Sequence, residues 1–263
     1  MLRKLDAIKN GRNILSEMNG LHSDMLMDVD VYKLSENQEL TIAEDEKEVA
    51  VLLLAGQIEF TYEDVQVTGT RASLFDEDPT CLHVCKAKKV ILKALETSEV
   101  LVQKTTNDSE FDSKYYRPED CTSDVFGDGV LGDTSRRVVR TVFDYKNAPY
   151  SNMVMGEVIN YPGKWSSYPP HHHPQPEIYY YRFNKPQGFG CSIIGEDVHK
   201  ITDNSMSAIP GGLVHPQTTA PGYAMYYCWM IRHLDNNPWT ERVDDEDHVW
   251  LLDKNVKIWP EKE

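Results

Sequence analysis

The chain has 263 residues, enough for one large domain or two of ordinary size, each with a full core. Its 42 acidic and 27 basic side chains give a formal charge of -15, which counts against nucleic acid and anionic membrane surfaces as partners, since both reward basic patches. No stretch approaches the ~20 apolar residues of a membrane span, and the first residues carry no secretory pattern, so a cytoplasmic protein is expected.

From the N-terminus, residues 2–18 read as a helix with a thin, irregular apolar face. From Asp30 the texture changes to short runs of valine, isoleucine, leucine and tyrosine cut by turn residues. Residues 31–34, 49–54, 57–62 and 65–67 read as strands, with Gly56 as a hairpin turn or bulge between two of them. Residues 72–75, 82–84, 90–95 and 100–104 complete a set sufficient for one antiparallel sandwich or barrel. The polar passage 105–133, rich in Asp, Ser and Gly, joins two domains as a linker or ordered crossover. Strand texture resumes at 136–143 and continues through 154–160, 165–173, 177–183, 190–194, 206–209 and 223–232. The expected fold is all-β, with two antiparallel β-sandwich or jelly-roll barrels in tandem, divided as residues 1–125 and 126–263. The five cysteines, Cys81, Cys85, Cys121, Cys191 and Cys228, read as thiols of a reducing compartment, mostly buried; Cys81 and Cys85 have no second pair to make a zinc motif.

Chemistry concentrates in the second half. The run Pro169-Pro170-His171-His172-His173-Pro174-Gln175-Pro176-Glu177 is answered by Pro210-Gly211-Gly212-Leu213-Val214-His215. In a strand every second side chain shares a face, so His171 and His173 can aim at one point while His172 faces away. Pro174 and Pro176 cannot sit inside a sheet, so the chain bends and a new strand begins at Glu177, with the carboxylate opposite the imidazoles. Three His and one Glu make a ligand set for one divalent ion with open positions, and open positions point to chemistry. Zinc or manganese comes first, and iron and nickel accept the same set. The short spacing from His173 to Glu177 leaves His172 as a rival ligand. The first half offers only His83 in the equivalent region, so it is expected to hold no metal.

A glycine before His-x-His, a following Glu, and a later Pro-x-Gly-x-x-His resemble the two motifs of the cupin superfamily of small metal-binding β-barrels, with Gly163 opening the first. A narrower resemblance spans nearly the whole chain. Residues 165–171, 177–182, Gly188-Phe189-Gly190, 220–227 and Asp247-His248-Val249-Trp250 are similar in order to strings of the 5-deoxy-glucuronate isomerase family of inositol catabolism, a bicupin family related to the 4-deoxy-threo-hexosulose-uronate ketol-isomerases. The resemblance implies a bicupin homo-oligomer that isomerises an acidic deoxy sugar from aldose to ketose, with 5-dehydro-2-deoxy-gluconate as the product. The segment between His173 and Glu177 is shorter and richer in proline than the family pattern.

Parity nominates the groups around the metal. Tyr179 and Tyr181 share the face of Glu177, Gln217 and Thr219 that of His215, and Trp165 and Ser167 that of His171 and His173. Tyr179, Gln217 and Tyr227 are the catalytic candidates. Ser167, Tyr181 and Arg182 are the substrate-binding candidates, the guanidinium as a carboxylate partner that Arg232 could also supply. His199 and His233 are expected at the surface, and His248 is a candidate for the pocket. The acidic run 244–247 reads as solvated surface or a helix start. A metal-dependent dioxygenase and a non-catalytic sugar sensor remain the competing function classes.

Overall fold

Many short runs of β-branched and aromatic residues, each closed by Gly, Pro, Asn or Asp, dictate strands that must bury at least one face. A computed structural model describes residues 1–5, 7–253 and 255–260 of the chain. The first half contains β1 (Leu2–Lys4), β2 (Gly11–Ser16), β3 (Asp28–Leu34), β4 (Glu39–Ala43), β5 (Lys47–Tyr62), β6 (Val65–Arg71), β7 (Cys81–Val84), β8 (Lys89–Ala94), β9 (Ser98–Thr106) and β10 (Lys114–Tyr116). The second contains β11 (Thr122–Phe126), β12 (Arg137–Phe143), β13 (Met153–Asn160), β14 (Trp165–Ser166), β15 (His171–His172), β16 (Glu177–Phe183), β17 (Phe189–Ile194), β18 (Asp197–Thr202), β19 (Ser205–Ile209), β20 (Gln217–Thr219), β21 (Met225–Arg232) and β22 (Val243–Asp244). All named pairings are antiparallel, and the helices among the described residues are short 3-10 turns, none long and apolar enough to cross a membrane.

Each half curls into a barrel, as the all-β, bicupin expectation required. In the first, strands run in the order β10-β7-β5-β9-β3-β2, and β4, β6 and β8 close the other side. In the second, a sheet in the order β1-β19-β16-β21-β13-β12-β11 faces a smaller one, β14-β20-β17-β18. Alternation decides what each face does. In β5, Val49, Val51 and Leu53 fill the first barrel together with Phe60, Leu82, Leu92 and Val102. Ala50, Leu52 and Leu54 point the other way. They meet Ile178 and Tyr180 of β16, Tyr226, Cys228 and Met230 of β21, and Met153 and Met155 of β13 in one core shared by both halves. The central strands are thus buried on both faces, which is why they read as unbroken apolar runs.

Polar contacts fix how the halves dock. Arg71 of β6 grips Glu157 of β13 with two hydrogen bonds, Nη1 to Oε1 at 2.6 Å and Nη2 to Oε2 at 2.8 Å, and the Tyr226 hydroxyl donates to Oε1 at 2.9 Å. Both charged side chains are essentially inaccessible to solvent. At the other end, buried Glu48 accepts from the Asn107 side chain, the Ser151 hydroxyl and the Asn152 backbone N–H. His83 Nε2 lies 2.8 Å from Glu48, and its ring stacks on Phe143. His83 is therefore a junction residue.

Several expectations need correction. The described residues of 2–18 form no helix: Asn10-Gly11 breaks the run, with Gly11 at a φ of +87°, and β1 and β2 find sheet partners on either side. The partner of β1 is β19, so the chain begins as an edge strand of the second barrel. Residues 49–54 and 57–62 are one strand. Gly56, at a φ of +96°, follows a register shift between Leu53 and Ala55, and a Cβ there would come 2.7 Å from the Ser98 Cα. The passage 105–133 is ordered in part, in keeping with the crossover alternative: β10 pairs with β7 of the first barrel and β11 with β12 of the second. The five cysteines are unpaired, with Cys81, Cys85 and Cys228 buried and Cys121 and Cys191 half-buried.

Breaking the Arg71–Glu157 pair by Glu157→Ala leaves a buried guanidinium without a counterion and is expected to cost about 3–5 kcal/mol, whereas Arg71→Met with Glu157→Leu together should cost less than the single change. Urea denaturation of the two proteins tests this; a double variant weaker than Glu157→Ala would show that the pair is not what the single change disrupts.

Candidate functional site

Prolines on both sides hold β15 to two residues, and it pairs only with β22, His171 opposite Asp244. The chain then turns through Pro174 and Pro176 into β16, which Glu177 opens between Ile209 and Ile231 of its neighbours. His215 lies between β19 and β20. Backbone contacts clamp the two motifs together: Gly212 N–H donates to the His173 carbonyl at 2.7 Å, and a Cβ on Gly211 would sit 1.9 Å from the Pro174 carbonyl oxygen. Only glycine permits that approach.

The clamp brings side chains from three segments to one point. Ligand atoms of His173, Glu177 and His215 all lie within 4.8 Å of one another, and all three residues are buried. His171 of β15 lies beside that group and outside it, its ring centroid 5.2 Å from that of His215. Each of these imidazoles uses Nδ1 on a backbone carbonyl: His171 on Pro169 at 2.9 Å, His173 on Gln175 at 3.0 Å and His215 on Leu213 at 2.8 Å. A carbonyl only accepts, so Nδ1 carries the proton and Nε2 keeps its lone pair. The Nε2 atoms of His173 and His215 lie 3.3 and 3.2 Å from Glu177 Oε2. Glu177 Oε2 and His215 Nε2 are buried and make no hydrogen bond.

Lone pairs facing each other out of water are unfavourable unless a cation or proton lies among them. The titration tendencies follow from the same crowding. Burial works against the Glu177 carboxylate, but the imidazoles of His173 and His215 beside it prevail and bring its pKa to about 2. Burial also works against charge on His215, and there the carboxylate prevails and raises its pKa. His171 is pushed down to about 3, first by burial and then by His215. An anionic carboxylate among nitrogen lone pairs, each imidazole oriented by a carbonyl, is the donor set that a divalent cation takes. The residues present fit the ion.

These groups line a cavity of about 750 Å³. Ser167, Tyr179 and Tyr227 line it as well. The Tyr179 hydroxyl is 3.0 Å from Ser167 Oγ, and that of Tyr227 pairs with Ser166 Oγ. Parity fails between Trp165 and His171, because Ser167 takes a left-handed backbone, φ 51°, and both Ser166 and Ser167 face the tyrosines. Other candidates lie elsewhere. Tyr181 donates to Gln217 Oε1 at 2.6 Å and Gln217 donates to the His215 carbonyl, so these two brace the wall behind the site and do not line the cavity. Arg182 is on the opposite face of β16, ion-paired with Glu99 and Asp203, and Arg232 is spent on Thr105 and the His233 carbonyl. Neither guanidinium reaches the cavity. His172 and exposed His248 do not line it, and His199 is half-buried on β18. His233, expected at the surface, is buried, and its Nδ1 accepts from the backbone N–H of Trp239, a cavity residue. The acidic run caps a 3-10 turn, with Asp245 accepting from Asp247 N–H.

Sequence reasoning missed Arg137 and Arg242, the two arginines of the cavity, and that the 3-10 turn begun by the acidic run sets Leu251 and Leu252 against it. A signal for Arg137 existed, since it shares the inward face of β12 with Val139.

The model of the KduI/IolB family matches residues 1–251. The chain belongs to that family. Curated relatives of this KduI/IolB chain include proteins named 5-deoxy-glucuronate isomerase from Bacillus velezensis, 26% identical over 97% of this chain and 99% of the relative, and from Bacillus subtilis strain 168, 24% identical over the same shares. Among solved structures, an IolB-like protein of Salmonella typhimurium LT2 superposes with a TM-score of 0.87 at 21% identity, covering 95% of this chain and 98% of that one. An oxalate decarboxylase of Lactobacillus farciminis superposes at 0.65 with 11% identity, over 92% and 86% of the two chains, which shows a shared cupin-like fold. With family and relatives agreeing across nearly its whole length, the chain is an enzyme of the isomerase class, an intramolecular oxidoreductase.

Gly211→Ala should force the two motifs apart and lower divalent-metal affinity by roughly 10–100-fold, the scale of lost support around a metal site. Titration with Zn2+ and Mn2+ checks it; wild-type affinity in a folded variant would show that the close approach does not set the site.

Proposed function

We propose that this KduI/IolB-family protein is a divalent-metal-dependent aldose–ketose isomerase that converts 5-deoxy-glucuronate to 5-dehydro-2-deoxy-gluconate or acts on a closely related deoxyuronate. The observation that carries the metal requirement is the buried, unbonded pair Glu177 Oε2 and His215 Nε2, with His173 Nε2 beside them. The names of the relatives support the substrate class. His171, His173, Glu177 and His215 would hold the ion. Bound there, a divalent ion supplies Lewis acidity to the carbonyl and neighbouring hydroxyl oxygens of an open-chain sugar.

The chain's own groups do the rest. Burial raises the phenol pKa of both Tyr179 and Tyr227, so each keeps its O–H and can donate a hydrogen bond to a substrate oxygen on which charge develops. Ser166 and Ser167 hold those hydroxyls in place. Trp229 and Trp239 line the same cavity, their ring centroids 5.8 Å apart, and give it an aromatic wall. Gln217 and Tyr181 act at one remove, keeping the His215 segment in position. A cytoplasmic, homo-oligomeric protein completes the proposal; unpaired thiols suit a reducing compartment, and β11, exposed throughout, is a free sheet edge.

Metal-reconstituted protein incubated with 5-deoxy-glucuronate should form ketose, and His215→Ala should lose the bound metal and at least about 1000-fold in turnover. Full turnover by a demonstrably metal-free His215→Ala protein would reject the mechanism. Oxygen consumption would point to a dioxygenase, and binding without turnover to a sensor.

A further inference from the structure

We infer, resting on the sugar-acid reading above, that Arg137 is the seat of the substrate's carboxylate and sets the preference for acidic over neutral sugars. Arg137 lies on the inward face of β12, lines the cavity with His171 and Tyr227, and is 8% exposed. Its guanidinium donates to two neutral acceptors, the Ser135 carbonyl at 2.8 Å and the Tyr168 carbonyl at 3.2 Å. Among the described residues no carboxylate comes within ion-pairing distance of it.

The other buried arginines differ. Arg71 holds Glu157, and Arg140 holds Asp78 and approaches Glu157. Half-buried Arg182 is likewise paired, with Glu99 and Asp203. Arg232 also lacks a carboxylate within ion-pairing distance, but it bonds Thr105 and the His233 carbonyl outside the cavity. Arg242, the second arginine of the cavity, already has Asp244 at 2.9 Å. A buried charge without a counterion is costly, and in a chain of net charge -15 carboxylates were abundant partners that this position does not use. Burial pushes the guanidinium pKa down, and Arg242 adds to that push while Tyr227 opposes it, as expected for a cation short of negative charge. Arg137 also has the Phe126 ring 5.8 Å from its Cζ, and a planar guanidinium on a cavity wall, held by neutral carbonyls and an aromatic ring, matches a carboxylate.

Position adds direction. The Tyr168 carbonyl that accepts from Arg137 belongs to the same short segment as Ser167, and as Pro169, whose carbonyl accepts from His171. Acid seat, tyrosine-holding serine and metal-side imidazole are therefore fixed by one stretch of chain. A uronate anchored by its acid at Arg137 has its other end left for the His and Glu cluster, so the seat selects both the class of sugar and its orientation.

The test pairs 5-deoxy-glucuronate with its carboxamide, which has the same shape without the charge. Wild type should favour the acid over the amide by roughly 100-fold in kcat/KM, mostly through KM. Arg137→Gln should lower kcat/KM for the acid by roughly that factor and bring the ratio near one, and Arg137→Lys should retain part of it. Metal content and thermal melts confirm that each variant is folded; should Arg137→Gln not fold, the acid-to-amide ratios of wild type and Arg137→Lys still decide. Equal use of acid and amide by wild type, an undiminished ratio in folded Arg137→Gln, or a ratio lost in Arg242→Gln but kept in Arg137→Gln overturns the proposal. Calorimetric binding of the two compounds separates this from the parent reading. Failure of wild type to turn over the acid, together with an acid-over-amide binding preference that vanishes in Arg137→Gln, removes the isomerase and leaves the anion seat standing.

Discussion

The site depends on one constraint: the central strands of the second barrel have both faces claimed. Along β16, Ile178 and Tyr180 are committed to the core shared with the first half, and along β21, Tyr226, Cys228 and Met230 are committed in the same way. Strand period then leaves no choice for Glu177, Tyr179, Tyr227 and Trp229, which must face the barrel interior. A slip of one residue would put the Glu177 carboxylate into an apolar interface and Ile178 among the imidazoles. The first barrel has an interior filled by Val49, Val51, Leu53, Phe60 and Leu92, and its other face, through Ala50, Leu52 and Leu54, packs on the strands whose register positions the site.

Hydrophobic contact alone does not specify how two sheets sit on each other. The Arg71–Glu157 pair supplies direction, because two hydrogen bonds in a planar fork are satisfied in one docking geometry only. Desolvation makes the net stability gain of such a pair small, so its effect is read better as specificity of docking than as strength. Glu157 is next to Val158 of the cavity wall, and Gly156 on its other side has no room for a side chain: a Cβ would lie 2.4 Å from the Trp229 ring. Three consecutive residues of β13 thus serve the interface, the cavity wall and the placement of an aromatic.

The clustering of His173, Glu177 and His215 was legible because its logic is local. His-x-His, a proline bend, a carboxylate at a strand start and a Pro-Gly-Gly turn are all short-range statements about chain direction. The helix expected over residues 2–18 failed because local pattern competes there with a distant partner: β1 pairs with residues some two hundred positions away, which nothing in the first segment announces. Ser167 lined the cavity as expected, yet not by parity, since its left-handed backbone interrupts the alternation. Arg182 and Gln217 were misplaced for different reasons. Arg182 lies on the face of β16 turned away from Glu177, paired with Glu99 and Asp203. Gln217 faces the right way and shows that facing inward does not decide whether a side chain ends in the cavity or is consumed by a neighbour, here Tyr181.

That distinction accounts for Arg137 as well. Sequence counts charges but not their pairing, and with 42 acidic side chains available any arginine in this chain looks like half of a salt bridge. Structure reverses the inference by showing which cation is left over. In a strongly acidic protein the long-range field repels an anionic sugar, so capture has to rely on positive charge that is local and shielded from solvent. Inside a cavity the low dielectric strengthens such a contact, and the dense carboxylates of the surface lie behind water and counterions. The net charge and the proposed acidic substrate are therefore compatible: in that reading one buried guanidinium and the proposed cation site, both shielded from the surface carboxylates, set the sign of the interior.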